Sequence, residues 1–224
     1  MHVEEFFPTA EKLVLEKNIK LYDPEKSRQI STVYYINNGL LCLRSTSFDG
    51  NAYILLFQRA PRFANFFPLI RNKIEEEIQA PHFIFAPQVT FTKCEAVKIP
   101  AEEFLHKWRA CDDFKRIIIQ QAFDDYVELL QSYISKMEDG ACTRLCKLLM
   151  DLSSPYDKGR RKLETYFTYT TLSEYLGIHP VTVSKLMKKL HQYGYISRDG
   201  RKVYIEKEEA IRQLIDARIE IDYH

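Results

Sequence analysis

Between Thr170 and Leu190 the chain reads Thr-Thr-Leu-Ser-Glu-Tyr-Leu-Gly-Ile-His-Pro-Val-Thr-Val-Ser-Lys-Leu-Met-Lys-Lys-Leu, and few folds satisfy that order of residues. Leu172, Tyr175 and Leu176 mark the apolar side of a short helix, and Val183, Leu186, Met187 and Leu190 recur at the spacing of a second buried stripe. Gly177 stands between them, where a left-handed turn is needed to redirect the chain. The stretch predicts a helix-turn-helix.

The opposite face of the second helix carries Val181, Ser184, Lys185, Lys188 and Lys189, without one Asp or Glu among them. A cationic face free of carboxylates suits the major groove of DNA and the phosphates beside it. Downstream, Tyr195-Ile196-Ser197 and Lys202-Val203-Tyr204-Ile205 alternate about a turn at Arg198-Asp199-Gly200-Arg201, which predicts a β-hairpin, or wing. An ordinary helical hairpin with a solvated lysine face does not account for helix, turn, helix and hairpin in that order.

Charge supports the same assignment. From Pro155 to Tyr204 ten Lys and Arg stand against four Asp and Glu, a net +6, so with +1 overall the remainder carries −5. The nucleic-acid footprint is thus confined to one segment. A chain of 224 residues, 46% hydrophobic, can bury the cores of two modest domains. No apolar run approaches the ~20 residues of a membrane span and no signal pattern opens the chain, so a cytoplasmic protein without membrane contact is expected. The five cysteines, Cys42, Cys94, Cys111, Cys142 and Cys146, are odd in number and scattered, which implies no disulfide framework. Cys142 and Cys146 share a helix face but lack further ligands nearby, so core packing is expected and no metal or cofactor.

Before the helix-turn-helix the texture changes twice. Residues 1–18, with Phe6-Phe7-Pro8 and Leu13-Val14-Leu15, read as an arm or short helix. From Ile19 to about Pro100 short alternating runs follow one another: Thr32 to Ile36, Leu40 to Arg44, Ala52 to Phe57, His82 to Phe85, Val89 to Phe91 and Ala96 to Ile99. Turns such as Asn37-Asn38-Gly39 and Asp49-Gly50 separate them, the pattern of a β-sandwich or roll. A short helix is expected over Ala101 to His106, and a long one from about Phe114 to Glu138 behind Asp112-Asp113. The long helix carries two apolar stripes, one through Phe114, Ile118, Ala122, Tyr126, Leu129, Tyr133 and Met137, the other through Ile119, Phe123, Val127, Leu130 and Ile134. Two stripes imply that it packs on its own domain and on a partner. Asp139-Gly140 reads as a hinge, Cys142 to Leu152 as a helix, Ser153 to Arg160 as a loop, Leu163 to Tyr169 as a strand, and Glu206 to Ile221 as a closing helix with Ala210, Leu214, Ala217 and Ile221 inward.

The turn at Gly177, the Thr182-Val183-Ser184 run followed by Lys185, and the exit from Leu190 to Gly194 resemble the Crp/Fnr family of bacterial transcription regulators. His179, Val181 to Ser184 and Phe6-Phe7-Pro8 look most like the halorespiration regulators of the CprK type. The resemblance implies an α+β fold: a cyclic-nucleotide-binding-like β-roll over residues 1–110, a dimerisation helix over 111–139, and a winged helix-turn-helix over 140–224. It implies a homodimer on palindromic, A·T-rich double-stranded DNA, with RNA polymerase as a further partner. Val181, Ser184 and Lys185 are then expected to meet bases, and Thr182, Lys188, Lys189, Arg201 and Lys202 the backbone. The dimer seam is expected through Ile118, Tyr126, Leu129 and Tyr133.

In such regulators an effector lodges between the roll and the long helix. The expected lining is Phe63, Asn65, Phe66, Phe67, Phe83, Phe85, Tyr126 and Tyr133, mostly aromatic, which favours an apolar or aromatic molecule, halogenated aromatics included. The alternative is that these aromatics are the core of the roll. Where the family's cyclic-nucleotide binders carry Gly-Glu and Arg, this chain has Ala60 to Ile70 and then Glu75-Glu76-Glu77, a poor phosphate cradle, although Arg62 or Arg71 could pair with an anion. Asn65 and Asp125 stand where halophenol sensing would want a lysine. A regulator responding to redox state or a cyclic nucleotide is the alternative, and an oligomerising adaptor without DNA a further one. No Gly-x-Ser-x-Gly elbow, His-x-x-x-His pair or Gly-rich phosphate loop occurs, so no catalytic residues and no enzyme are expected.

Overall fold

A computed structural model describes residues 3–22, 30–47, 50–71, 86–157, 159–217, 219 and 221. The chain divides into two compact units, Met1–Leu129 and Leu130–His224.

In the first unit a 3-10 turn (Val3–Glu5) precedes β1 (Glu11–Leu15), β2 (Thr32–Asn38), β3 (Leu40–Thr46), β4 (Ala52–Arg59), β5 (Arg62–Ala64), β6 (Gln88–Thr90) and β7 (Cys94–Pro100). They form two antiparallel sheets in the orders β1-β7-β2-β5 and β4-β3-β6. The chain passes from one sheet to the other at Gly39, whose φ of 117° belongs to glycine, and where a Cβ would lie 2.6 Å from Cys94 Sγ. Leu13-Val14-Leu15, expected in an arm or helix, are instead in β1, in register with Cys94 to Ala96. β5 has no counterpart in the sequence pattern: all three of its residues are buried, so no alternation marks it.

Helix α1 (Ala101–Ala110) and the long α2 (Asp112–Glu138) follow. α1 runs a turn beyond the expected end, its last-turn Lys107 and Arg109 suiting the negative end of the helix. The first unit's main core gathers Val33, Tyr35, Phe63, Phe66, Val97, Ile99, Phe104, Phe114 and Ile118. The expected strand over His82 to Phe85 lies outside the described residues.

The second unit holds the last turns of α2, then α3 (Ala141–Leu152), β8 (Ser153–Pro155), β9 (Arg161–Leu163), α4 (Tyr169–Leu176), α5 (Pro180–Gln192), β10 (Ile196–Asp199), β11 (Lys202–Ile205) and α6 (Glu208–Asp216). The wing is larger than the hairpin expected, a four-stranded sheet in the order β10-β11-β9-β8. Ser153-Ser154-Pro155, read as loop, is its edge strand, a place that tolerates Pro. The strand expected from Leu163 to Tyr169 ends at Leu163, because Thr168 caps α4. α6 is shorter than expected: Glu206 N–H and Lys207 N–H are bonded to Tyr195 O, and Ile211 and Leu214 face inward while Ala217 is exposed.

Candidate nucleic-acid interface

The helix pair is fixed by its caps. Thr168 Oγ1 accepts the Thr171 N–H at 3.2 Å to open α4, and Gly177, at φ 64°, closes it with its N–H on Ser173 O. His179 Nδ1 accepts the Val181 N–H at 3.2 Å, so the imidazole caps α5, and Pro180 takes the first helical position, where no N–H is missed. Leu172 and Leu176 of α4 and Val183, Leu186, Met187 and Leu190 of α5 are buried. That leaves Val181 (55% exposed), Ser184, Lys185 and Lys188 outward, with Thr182 and Lys189 half-buried beside them. The first turn of α5 carries no acid, so the positive end of its dipole is open to an anion.

The ion pairs divide the basic segment. Arg160 is held by Asp157 at 2.6 Å and by Glu206 at 3.4 Å, Arg161 by Glu208 at 3.8 Å, and Lys162 by Glu164 at 3.4 Å. Among the described residues no ion pair involves Lys185, Lys188, Lys189, Arg198, Arg201 or Lys202. The uncompensated charge therefore lies on α5 and the β10–β11 hairpin. Arg198, which the sequence pattern gave no reason to single out, lies over the ring of Tyr169 at 4.9 Å. Burial raises the Tyr169 phenol above its ordinary value, and Arg198 partly offsets this.

At the junction of α2 and α3, Asp139 accepts from Ser135 Oγ and from Lys147 Nζ, each at 2.5 Å, and Lys136 lies over the Tyr175 ring at 5.3 Å. Arg144 donates to Leu176 O at 2.9 Å. Burial first, and then the charge of Arg144, lowers the Lys136 ammonium below the ordinary lysine value.

Among the described residues the expected effector lining divides between core and surface. Phe63 and Phe66 are core residues, with Phe63 in ring contact with Tyr35, Phe104 and Phe114 at 4.8, 5.9 and 5.5 Å. Asn65 is buried at a φ of 68° and donates to Leu21 O and Thr32 O, so it serves the backbone. Phe67, Tyr126 and Tyr133 are exposed, and Phe83 and Phe85 lie outside the described residues. Aromatic side chains facing into a small roll are first of all its core, and Phe63 and Phe66 follow that rule. Arg62, a candidate anion ligand by sequence, is 91% buried at the side chain and already meets an anion: Asp125 Oδ2 at 2.5 Å, which Gln58 Nε2 also reaches at 3.1 Å.

The expected dimer seam needs one correction. Ile118 is 1% exposed and belongs to the first unit's core. The uncovered stripe of α2 is Ile119, Phe123, Tyr126, Leu130, Tyr133, Ile134 and Met137, a mixture of the two stripes. Among the described residues no three His, Cys, Asp or Glu are grouped to hold a metal, and no helix is long and apolar enough to cross a membrane.

Residues 143–214 match the Crp-like helix-turn-helix domain. No curated protein sequence matches the chain significantly. Among solved structures, FixK2 of Bradyrhizobium japonicum shares the fold at a TM-score of 0.72 and 13% identity, over 92% of this chain and 97% of that one. A CRP/FNR-family transcriptional regulator of Thermus thermophilus does so at 0.70 and 16%, over 93% and 100%. CprK complexed with OCPA is one neighbour among these, at 0.66 and 12%, over 95% and 92%. Residues 143–214 of the second unit thus match a Crp-like helix-turn-helix domain, and the chain shares the α+β fold of solved structures that include a CRP/FNR-family regulator.

Proposed function

We propose that the protein is a homodimeric, effector-controlled transcription regulator that acts in the cytoplasm on palindromic, A·T-rich operators. The observation that carries this reading is the face of α5: exposed, cationic, without carboxylates, and unneutralised by ion pairs among the described residues. Val181, Ser184 and Lys185 sit in the first turns of the helix, the part that enters the major groove and reads base edges. Val181 packs on a thymine methyl but cannot accept from cytosine, while Lys185 reaches a guanine or a phosphate. The half-site is therefore nearer TTAA than TTGA. Thr182, Lys188 and Lys189, with Arg201 and Lys202 on the wing, contact phosphates and fix register.

Two such helices in successive major grooves require a two-fold axis, and the bare apolar stripe of α2 through Ile119, Phe123, Tyr126 and Leu130 supports a dimer formed through this helix. The fold likeness to CprK complexed with OCPA supports a small-molecule effector acting on the first unit, and RNA polymerase is the further partner of a regulator. Among the described residues the aromatic lining that favoured halogenated aromatics is divided between core and surface. Selection of the full-length protein against a pool of random duplexes tests the reading. It should return A·T-rich inverted repeats with centres about two helical turns apart. GC-rich half-sites, or no enrichment, would refute it.

A further inference from the structure

We propose that Arg198 and Tyr169 form a backbone clamp: a cation carried by the wing, aimed by the first helix of the helix-turn-helix, that grips one DNA phosphate. The inference rests on the reading above, that this domain binds DNA.

The position of Arg198 is unusual for a wing residue. It follows buried Ile196 by two positions and stands opposite Val203 in the hairpin register, so it lies on the side of the sheet that faces the domain core. At that point the core ends. The exposed side chain runs on across the gap to α4, where its guanidinium carbon rests 4.9 Å from the centre of the Tyr169 ring. An aromatic face fixes a guanidinium without neutralising it and leaves the N–H groups along its edge free to donate. With no ion pair to Arg198 among the described residues, the result is a charge that is held in place yet uncompensated. Arg160 makes the contrast: it also lies over aromatic rings, those of Tyr156 and Tyr204, but two carboxylates satisfy it.

Tyr169 gives the clamp its ligand. It is the first residue of α4, and the first helix of a helix-turn-helix crosses the DNA backbone. A phosphate arriving at this turn meets the N–H groups of Arg198 that the Tyr169 ring and its phenol leave unused. The planar fork suits a phosphate better than a lysine would. Arg198 is therefore expected to act as a positioning residue, alike on all sequences, and Tyr169 to act through it.

The test is fluorescence anisotropy of the full-length protein on two duplexes of equal length, one recovered by selection and one random, over a range of salt. Removing a phosphate contact lowers the salt slope by about 0.9. Arg198→Ala should do this on both duplexes, so that its loss is roughly threefold greater at 50 mM than at 200 mM salt. Tyr169→Leu removes no charge, yet should lower the slope as well, and the double variant should bind no worse than Arg198→Ala. Tyr169→Phe, which keeps the ring, should stay near wild type and guards against misfolding. An unchanged slope in Arg198→Ala, or additive losses in the double variant, would overturn the clamp while leaving DNA binding intact. A wild-type protein that bound neither duplex would overturn both readings.

Discussion

Gln121 turns both ends of its amide on one residue: its Oε1 accepts the Phe63 N–H and its Nε2 donates to the Phe63 carbonyl, each at 2.8 Å. Phe63 is the middle of β5, the outermost strand of its sheet, so these are the two bonds that a further strand would make. One side chain of α2 completes the ladder. Gln121→Ala leaves both backbone groups without that partner and should cost about 2 kcal/mol in urea unfolding. A loss within error of zero would mean that water replaces the amide without penalty.

One turn further along α2, Asp125 answers Arg62. Asp125→Ala strands a buried guanidinium whose Nε already lacks a partner, and should cost about 3 kcal/mol. Replacing both, Arg62→Met with Asp125→Leu, should recover most of that loss. If the double variant is as unstable as the single one, packing rather than charge is at stake.

The corrected stripe on α2 separates assembly from folding. Phe123 is 60% exposed, so Phe123→Asp should give a monomer with nearly unchanged melting temperature and no operator affinity. Ile118→Asp places a carboxylate in the core and should unfold the first unit instead. Sedimentation beside thermal melting distinguishes the two, and a dimer that survives Phe123→Asp would move the seam elsewhere.

How far these features could be read in advance depended on how local they are. The helix-turn-helix was legible because spacing, turn glycine and caps all lie within one short stretch, and the larger strands because apolar runs rich in β-branched and aromatic residues stand between turn signals. β5 and β8 were not: each is three residues long, β5 is buried throughout and pairs with β2 far back in the chain, and β8 reads Ser-Ser-Pro, the composition of a loop. On α2 the helical period gave two stripes but not which one the roll would cover, and Ile118 and Ile119, neighbours in sequence, ended on opposite sides of that divide. The aromatics at 63 and 66 had the composition of a ligand pocket and of a core alike. Arg198 was missed because only the fold brings it to Tyr169.

Base reading can be redirected at one position. Val181→Glu puts an acceptor where cytosine offers its amino group, and should shift the selected half-site from an A·T to a G·C pair by about 1–3 kcal/mol. Lys188→Ala should weaken selected and random duplexes equally. A lysine variant that changed the preferred sequence would reassign that residue from backbone to base.

Lys136 gives a pH signature. Its pKa is lower in the folded protein, so between that value and the ordinary one the unfolded chain binds more protons, and stability rises with pH. Wild type should therefore gain on Lys136→Met as pH rises toward the ordinary lysine value of 10.5. A constant difference in unfolding free energy across that range would show that Lys136 titrates normally.

The bonds around Asp139 also decide where the protein can be cut. A fragment beginning at Gly140 would lack the carboxylate that holds Lys147 and the ammonium that lies over Tyr175. One beginning at Leu130 retains both, together with Ser135, and coincides with the border of the second compact unit. For preparing the DNA-binding half alone, the last two turns of the long helix are part of the module rather than a tether to be trimmed.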